Sequence, residues 1–574
     1  MEQAVRRAPA DKAPGDDNIP NGILHIVLPI ILPILTKLFN ACMTLGYNPT
    51  HFRHSVTVTL RKPGRKSYRL PNSYRPVALL NTIGKALEAV IAGRISYAAE
   101  QHGLFPKTHL GGRKGISVDH AIQLIIEKVR RAWGAGFRVV SFLLKDVTGA
   151  YNYANHTRML HNLRMLGLGQ LVPWIQSFLS NRTTRIRMPE TTTGVIPTPT
   201  GIPQGSPLSP ILYLLYNQEL IRLLTRRTRS IDDLRMGRPH CPSTAFGWVD
   251  DVAVTVEGRT KQETIQKLQD LHETADDWAK RHASIFAPDK YKLIHFINPN
   301  APSDPWDAEE PILTLSGVEI KPSQAAKYLG VWFDPGLTFS EHRRQAMASA
   351  EACIEALKGI AGSTWGTSLE GMIKVYNALV IPKMLFGAAA WYNQHNRDLG
   401  PGINASIVNS FTAIQKRAAI LISGAFRKTA AEALNMELHL LPIRQLLDKQ
   451  VQETAVRLMT GPTVGQPKLD RTLEETKLGG KTPMELHAQK GCLKLNAGEY
   501  WERRMAFITA PWEQPPIVHI EEKEQVIDRN KVIEEQHKSR GGSLLIYMDG
   551  STYRGHIRAA AVAGDKYRHL YMGL

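Results

Sequence analysis

Two adjacent carboxylates set between two short apolar runs constrain this chain most. Ala245-Phe246-Gly247-Trp248-Val249 leads into Asp250-Asp251, and Val252-Ala253-Val254-Thr255-Val256 follows. Both flanks are rich in β-branched and aromatic residues, so they read as two strands meeting at a tight turn. A chain with this element has to build a sheet around an acidic tip. Neighbouring carboxylates repel, and each raises the other's pKa. A divalent cation removes that cost, and all-oxygen donors suit Mg²⁺. A solvated turn is the plainer reading of the same residues, since Asp is common in turns. The rest of the sequence has to decide between them.

Charge narrows the partners. Lys and Arg outnumber Asp and Glu by 71 to 52 over 574 residues, giving a net charge of +19. That balance favours a polyanion, either nucleic acid or an anionic membrane surface. The length corresponds to three or four domains at about 150 residues each. Cys42, Cys241, Cys353 and Cys492 show neither zinc-ligand spacing nor a disulfide framework, which fits an intracellular, reducing compartment. The most apolar segment, 23–36, carries Pro29 and Pro33 and is followed by Lys37. It is shorter than a membrane span, so a buried helix and no membrane partner are expected. The first 20 residues have no apolar signal core.

Helices are expected at 23–45, 81–101, 117–132, 156–166, 171–180, after 210, and at 260–282. Strands are expected at 54–60, 139–144, 291–297, 312–320 and 325–333, with 61–76 as a basic loop. From 340 to about 460 the pattern is mainly helical. The charged run 521–540 reads as linker or solvated helix, and a further strand begins at 543 with SLLIYMDGS.

Other motifs surround the acidic turn. Asp146 closes the apolar strand VVSFLL, where a buried side chain can be aimed accurately. GIPQGSPLSP (201–210) is a rigid turn with exposed N–H groups that can lie close to a substrate. FAPDKYKL (286–293) supplies a Lys-bearing loop, and Tyr328-Leu329-Gly330-Val331 joins two strands. In identity, order and spacing these motifs resemble the reverse transcriptases of non-LTR (LINE-type) retrotransposons. The likeness is greatest to fungal elements with an RNase H domain behind the polymerase, and it runs from about residue 8 to the end.

The resemblance implies an α+β right-hand polymerase fold, with fingers, a palm on an antiparallel sheet, and a thumb. A mainly helical region and a partial RNase H start follow. The boundaries it suggests are 1–42 for an N-terminal fingers extension, 43–335 for fingers and palm, and 336–460 for the helical thumb and connection. A linker region at 461–542 and a truncated RNase H start at 543–574 complete the chain. It implies RNA-directed DNA polymerisation with Mg²⁺, or alternatively Mn²⁺, using an RNA template, a DNA primer and target, and dNTPs. Asp146, Asp250, Asp251 and the Val147 carbonyl correspond to the metal ligands, with the three aspartates catalytic. Arg75, Tyr151, Gln204, Gly205 and Lys290 correspond to the dNTP site, with Lys62 as a further phosphate candidate and Lys292 as a rival to Lys290. Tyr328, Leu329, Gly330 and Val331 correspond to the primer grip. Asp549 corresponds to the first RNase H carboxylate. Asp565 is the only acidic residue after it, so no RNase H activity is expected. A cytoplasmic ribonucleoprotein that reaches the nucleus follows from such a life cycle, with mitochondria as an alternative.

Two positions depart from the family pattern. Asn152 stands where an Asp is common, and Lys145 replaces an apolar residue directly before Asp146. Lys145 either competes with a metal for Asp146 or faces the opposite side of the sheet. A relic that only binds nucleic acid and an intron maturase are the alternative readings.

Overall fold

A computed structural model describes the chain apart from residues 66, 189, 227–239, 302–310, 361–364, 393–399, 463–479, 483, 486–502, 514–545, 554–555 and 564–574. Only the backbone is described for 400–404, 546–553 and 556–563. The charged run 521–540, Cys492 and Asp565 lie outside the described residues. Two compact units result, Met1–Pro511 and Trp512–Leu574.

The first unit is built on two four-stranded sheets. In the fingers sheet the order is β2 (Tyr74–Leu80), β1 (His54–Arg61), β4 (Thr183–Arg187), β5 (Ile196–Pro197). Strand β1 pairs antiparallel with β2 and parallel with β4. The expected basic loop at 61–76 is corrected, because its end, from Tyr74, belongs to β2, which runs on to Leu80 in spite of Pro76. Pro76 pairs with Thr59 on the outermost strand of the sheet, the place where a missing N–H is tolerated.

The palm sheet is antiparallel throughout, in the order β6 (Ser243–Trp248), β7 (Asp251–Gly258), β3 (Val139–Lys145), β8 (Lys292–Ile297). Side chains alternate along its strands and define two cores. Leu143, Val252, Val254 and Val256 face the helix Lys261–His282. Val140, Phe142 and Ala253 face the helix Val118–Gly134 and the hairpin β11 (Ala326–Tyr328)–β12 (Val331–Phe333). A shorter hairpin, β9 (Leu313–Leu315)–β10 (Val318–Ile320), precedes it. From Ser340 to Met459 the named elements among the described residues are helices. This is the α+β right-hand polymerase architecture. The second unit contains one antiparallel hairpin, β13 (Ile546–Tyr553)–β14 (His556–Ala563), with Asp549 opposite Ala560. The surroundings of the Asp549 side chain lie outside the described residues.

The N-terminal apolar segment is longer and less buried than its sequence suggests. It is a 25-residue helix, Asn21–Leu45, ended by Gly46 in the left-handed conformation. One stripe (Leu24, Leu28, Leu35, Phe39, Cys42) enters the core, while Ile26, Ile30 and Ile34 are 79%, 77% and 67% exposed. A helix apolar on every side reads as buried from sequence, but here only one side finds a partner. This helix and the segment Leu369–Trp391 are long and apolar enough to cross a membrane.

Candidate active site

The ladder between β3 and β7 sets the carboxylates. Its last pair is Lys145 opposite Val252, so one further step places Asp146 opposite Asp251 at the sheet end. On β7, Asp251 shares its side with Ala253, as Asp146 shares its side with Phe142 on β3. Both carboxylates therefore leave the sheet on the same face. Trp248 pairs with Asp251, leaving Val249 and Asp250 as a two-residue turn. Both turn carboxylates feel the Asp146 charge. Burial raises the Asp250 carboxyl above its ordinary value, and the Asp146 charge adds to that rise. Burial, then Asp250 and Asp146, push Asp251 up to about 6.

Among the described residues no three His, Cys, Asp or Glu side chains close around a point as metal ligands do. Lys290 is the cation at hand, its Nζ 3.0 Å from Asp146 Oδ2. The donors nonetheless fit a hard divalent cation, because they are carboxylate oxygens gathered at one sheet end, where the Asp146 charge raises both turn carboxyls. The backbone adds one more oxygen. Residues 146–148 bridge to the 285–287 segment through Ala287 N–H to the Asp146 carbonyl and Thr148 N–H to the Ile285 carbonyl. The carbonyl of Val147 is not used in that bridge.

The alternation that frees Asp146 buries its neighbour. Lys145 is 4% exposed, whereas the Asp146 side chain is 44% exposed. The expectation of a buried Asp146 is corrected: the strand end buries Lys145 and opens Asp146 to the cleft. Lys145 Nζ donates to His272 Nδ1 at 3.0 Å and lies over the rings of Phe286 (4.6 Å) and Tyr291 (5.3 Å). Burial pushes its ammonium down to about 7, opposed by Asp276. Burial and Lys145 hold His272 at about 4, so this imidazole is neutral and can accept. Its other nitrogen lies 3.1 Å from Ser316 Oγ. Lys145 therefore does not compete for Asp146.

Across the cleft stands the fingers strand β2. Arg75 is exposed on it, and its charge counters the rise at Asp250. Burial and the cations Arg65, Arg75 and Lys290 lower the Lys62 pKa, and its Nζ donates to the Asn72 carbonyl at 3.0 Å. The Pro-Gln-Gly turn is joined to the same strand, with Ala78 N–H donating to the Gln204 carbonyl at 2.8 Å. Gly205 has φ +145°, and a Cβ there would stand 2.2 Å from the Ala78 oxygen. Tyr151 stacks on Tyr213 with centroids 5.4 Å apart and planes 14° from parallel. Burial, then Asp250, raises its phenol pKa, keeping it neutral. Together these residues line a cleft of about 2240 Å³ that also holds Lys290 and Lys292.

The Tyr328–Val331 motif divides. Leu329 and Gly330 form the turn of the β11–β12 hairpin, both at positive φ (46° and 90°), as a two-residue hairpin requires. They are half-buried. Tyr328 and Val331 are 5% and 1% exposed, and the Tyr328 ring meets Phe142 edge-on at 5.7 Å. Those two anchor the hairpin, and the turn is what it presents.

Sequence reading singled out neither the 108–113 segment nor Glu88. Gly247 N–H donates to the Thr108 carbonyl at 3.0 Å, and Leu110 N–H to the Gly247 carbonyl at 2.8 Å, so this segment lies along the back of the acidic hairpin. Ser206, one residue past Gly205, donates to the buried Glu88 carboxylate. Burial pushes that carboxyl up to about 7. A charged residue at a helix position that should face the core, as Glu88 does in Thr82–Gln101, was the signal available.

The raised Asp251 has a thermodynamic consequence. Its folded pKa of about 6 lies above the ordinary value of 3.8. The folded state thus holds the proton more tightly than the unfolded state, and this contribution is lost as pH rises from about 4 through about 6. Buried histidines, His109 and His282 among them, are depressed to about 4 and act in the opposite direction, so a variant is the proper comparison. Without divalent cation, Asp251→Asn gains thermal stability over the parent as pH rises from 4 to 6, and the gain levels off above that. Equal melting temperatures at pH 4 and pH 7 contradict the reading.

Residues 60–333 match the family model described as reverse transcriptase (RNA-dependent DNA polymerase). The chain is 25% identical over 487 residues to the probable RNA-directed DNA polymerase from transposon X-element of Drosophila melanogaster, covering 85% of itself and 50% of that protein. It is 23% identical over 427 residues to the RNA-directed DNA polymerase from mobile element jockey of the same fly, covering 74% and 43%. Apo telomerase from Candida tropicalis matches 74% of this chain and 67% of its own at 11% identity and a TM-score of 0.36. The chain spans about half the length, or less, of the curated relatives it matches. Residues 60–333 carry the match to the reverse transcriptase family, and along most of its length the chain is similar to the RNA-directed DNA polymerases of non-LTR retrotransposons.

Proposed function

We propose that this chain extends a DNA primer on an RNA template by transferring nucleotidyl groups from dNTPs. The observation that carries the proposal is the emergence of Asp146 and Asp251 from one end of the palm sheet on one face. Asp250 stands at the adjoining turn, and all three look across a cleft at a cationic fingers strand. Asp146, Asp250, Asp251 and the Val147 carbonyl would hold Mg²⁺ or Mn²⁺, which would activate the primer hydroxyl and stabilise the leaving oxygen.

The protein's own part is positioning and charge neutralisation. Arg75, with its planar fork, grips the triphosphate bidentately, and Lys62 adds charge beside it. Lys290, already at the reaction centre on Asp146, stands where it can give a proton to the departing pyrophosphate. The Tyr151 ring, stiffened by its stack on Tyr213, forms a flat floor beneath the sugar that a 2′-hydroxyl would strike. Gln204 and Gly205 set the base pair against β2, and the Leu329–Gly330 turn supports the primer end. The excess positive charge holds the A-form-like duplex by its phosphates, by shape and not by sequence.

Primer extension tests this directly. The protein should extend oligo(dT) on poly(rA) with Mg²⁺ and dTTP and stop when the cation is chelated. A folded parent protein that extends nothing under either cation overturns the proposal and favours a nucleic-acid-binding relic.

A further inference from the structure

Val249 precedes the catalytic turn residue Asp250 and holds φ +57°. A β-branched residue in the left-handed region is strained. Such a conformation persists only where its surroundings enforce it. Two contacts do so here. The Asn217 side-chain amide donates from Nδ2 to the Val249 carbonyl at 2.8 Å. On the other side, Gly111 packs so closely that a Cβ there would stand 2.6 Å from Val249 N.

Asn217 is itself fixed. It is 1% exposed, and its Oδ1 lies 2.8 Å from His109 Nε2. His109 is fully buried, and its backbone bridges to Gly247 on the strand that leads into the turn. Burial keeps this imidazole neutral at ordinary pH. With Asn217 donating to Val249, its Oδ1 must accept, so the His109 proton sits on Nε2. Arg113 Nη1 donates to the His109 carbonyl at 3.1 Å, and its guanidinium grips Glu100 through two hydrogen bonds of 2.8 and 2.6 Å. A chain of buried polar contacts therefore runs from the largely buried pair Glu100–Arg113 to the carbonyl directly before Asp250.

We propose that Asn217, oriented by His109, is a positioning residue that enforces the left-handed turn at Val249 and so aims the Asp250 carboxylate. This rests on the polymerase reading of the site. Asn217 touches neither substrate nor the reacting atoms. It acts by holding a backbone conformation that valine would otherwise leave, and glycine would adopt that conformation without support. The strain and the brace should therefore compensate each other.

A double-mutant cycle tests this in two readouts. Asn217→Ala should lower kcat for primer extension about a hundredfold, because small misplacements of a reacting group cost that much. KM for dTTP should move less than about threefold, since the loss falls on the transition state. Adding Val249→Gly should recover at least about tenfold of kcat, by removing the strain the brace opposes. In thermal unfolding, the loss caused by Asn217→Ala should be smaller in the Val249→Gly background by about 2–4 °C. His109→Ala should show the same coupling at smaller amplitude and serves if Asn217→Ala fails to fold. Additive losses in both readouts overturn the brace. The unfolding cycle does not depend on activity, so coupling there with no extension by the parent would retain the brace and reject the polymerase reading.

Discussion

Asp250→Asn should abolish primer extension, by about a thousandfold or more, while leaving the protein folded. The size follows from the role: an amide cannot carry the charge a divalent cation needs, and metal stabilisation of the transferring phosphoryl group amounts to several kcal/mol. The sign of the stability effect separates this from unfolding. Burial and the Asp146 charge already raise the Asp250 carboxyl, so an ionised Asp250 is held at a cost in the metal-free protein. Removing its charge relieves that cost, and the cation-free melting temperature should stay level or rise. A parent and variant that extend primers equally would show that the acidic turn is not the reaction centre. An inactive variant with a lowered melting temperature would show a structural role instead.

Much of this site follows from alternation and order along the chain. A period-2 pattern around Asp250-Asp251 gives a hairpin, and an apolar strand ending at Asp146 gives its partner. Alternation also left Lys145 only two destinations, and the structure selects the one away from Asp146. The choice depends on residues that no local reading connects. His272 lies 127 positions from Lys145, and Phe286 and Tyr291 come from the loop that carries Lys290. The same limit hid the brace. His109 and Asn217 are 108 positions apart, and each alone looks like an ordinary buried polar residue. Strand β2, where the end of a basic loop at 61–76 was expected, shows a different limit. Pro76 lowers strand propensity locally, and only the edge position in the sheet makes it acceptable. The long N-terminal helix shows a third limit, because composition gives the apolar content of a helix but not which of its faces finds a partner. Within the Tyr328–Val331 motif, sequence could not separate the residues that anchor the hairpin from those at its turn. That division is set by Phe142, on a strand distant in the chain.

The turn that carries Gln204 should be as sensitive as the acidic hairpin, through geometry instead of charge. Gly205 holds φ +145°, and a Cβ there would come within 2.2 Å of the Ala78 carbonyl oxygen. That oxygen belongs to backbone in a sheet, so it cannot swing aside as a side chain could. Gly205→Ala must therefore push the turn off β2, and the neighbouring Ala78 N–H to Gln204 carbonyl bond at 2.8 Å goes with it. Arg75 lies three residues before Ala78 on the same strand, so the proposed triphosphate contact of Arg75 and the proposed base-pair contact of Gln204 and Gly205 lose their common reference. A displacement of about 1 Å in a positioning element costs about a hundredfold. We expect kcat/KM for dTTP to fall by at least that much, with KM rising because ground-state contacts to the nucleotide are lost as well. The contrast with Asn217→Ala is diagnostic, since that change should leave KM nearly fixed. Glu88, which accepts from Ser206 one residue further on, should keep the rest of the turn anchored, so the variant remains folded and its kinetics measurable. Parental kinetics in Gly205→Ala would show that the turn can separate from β2 without consequence, and the proposed coupling of fingers to palm at this point would then be wrong.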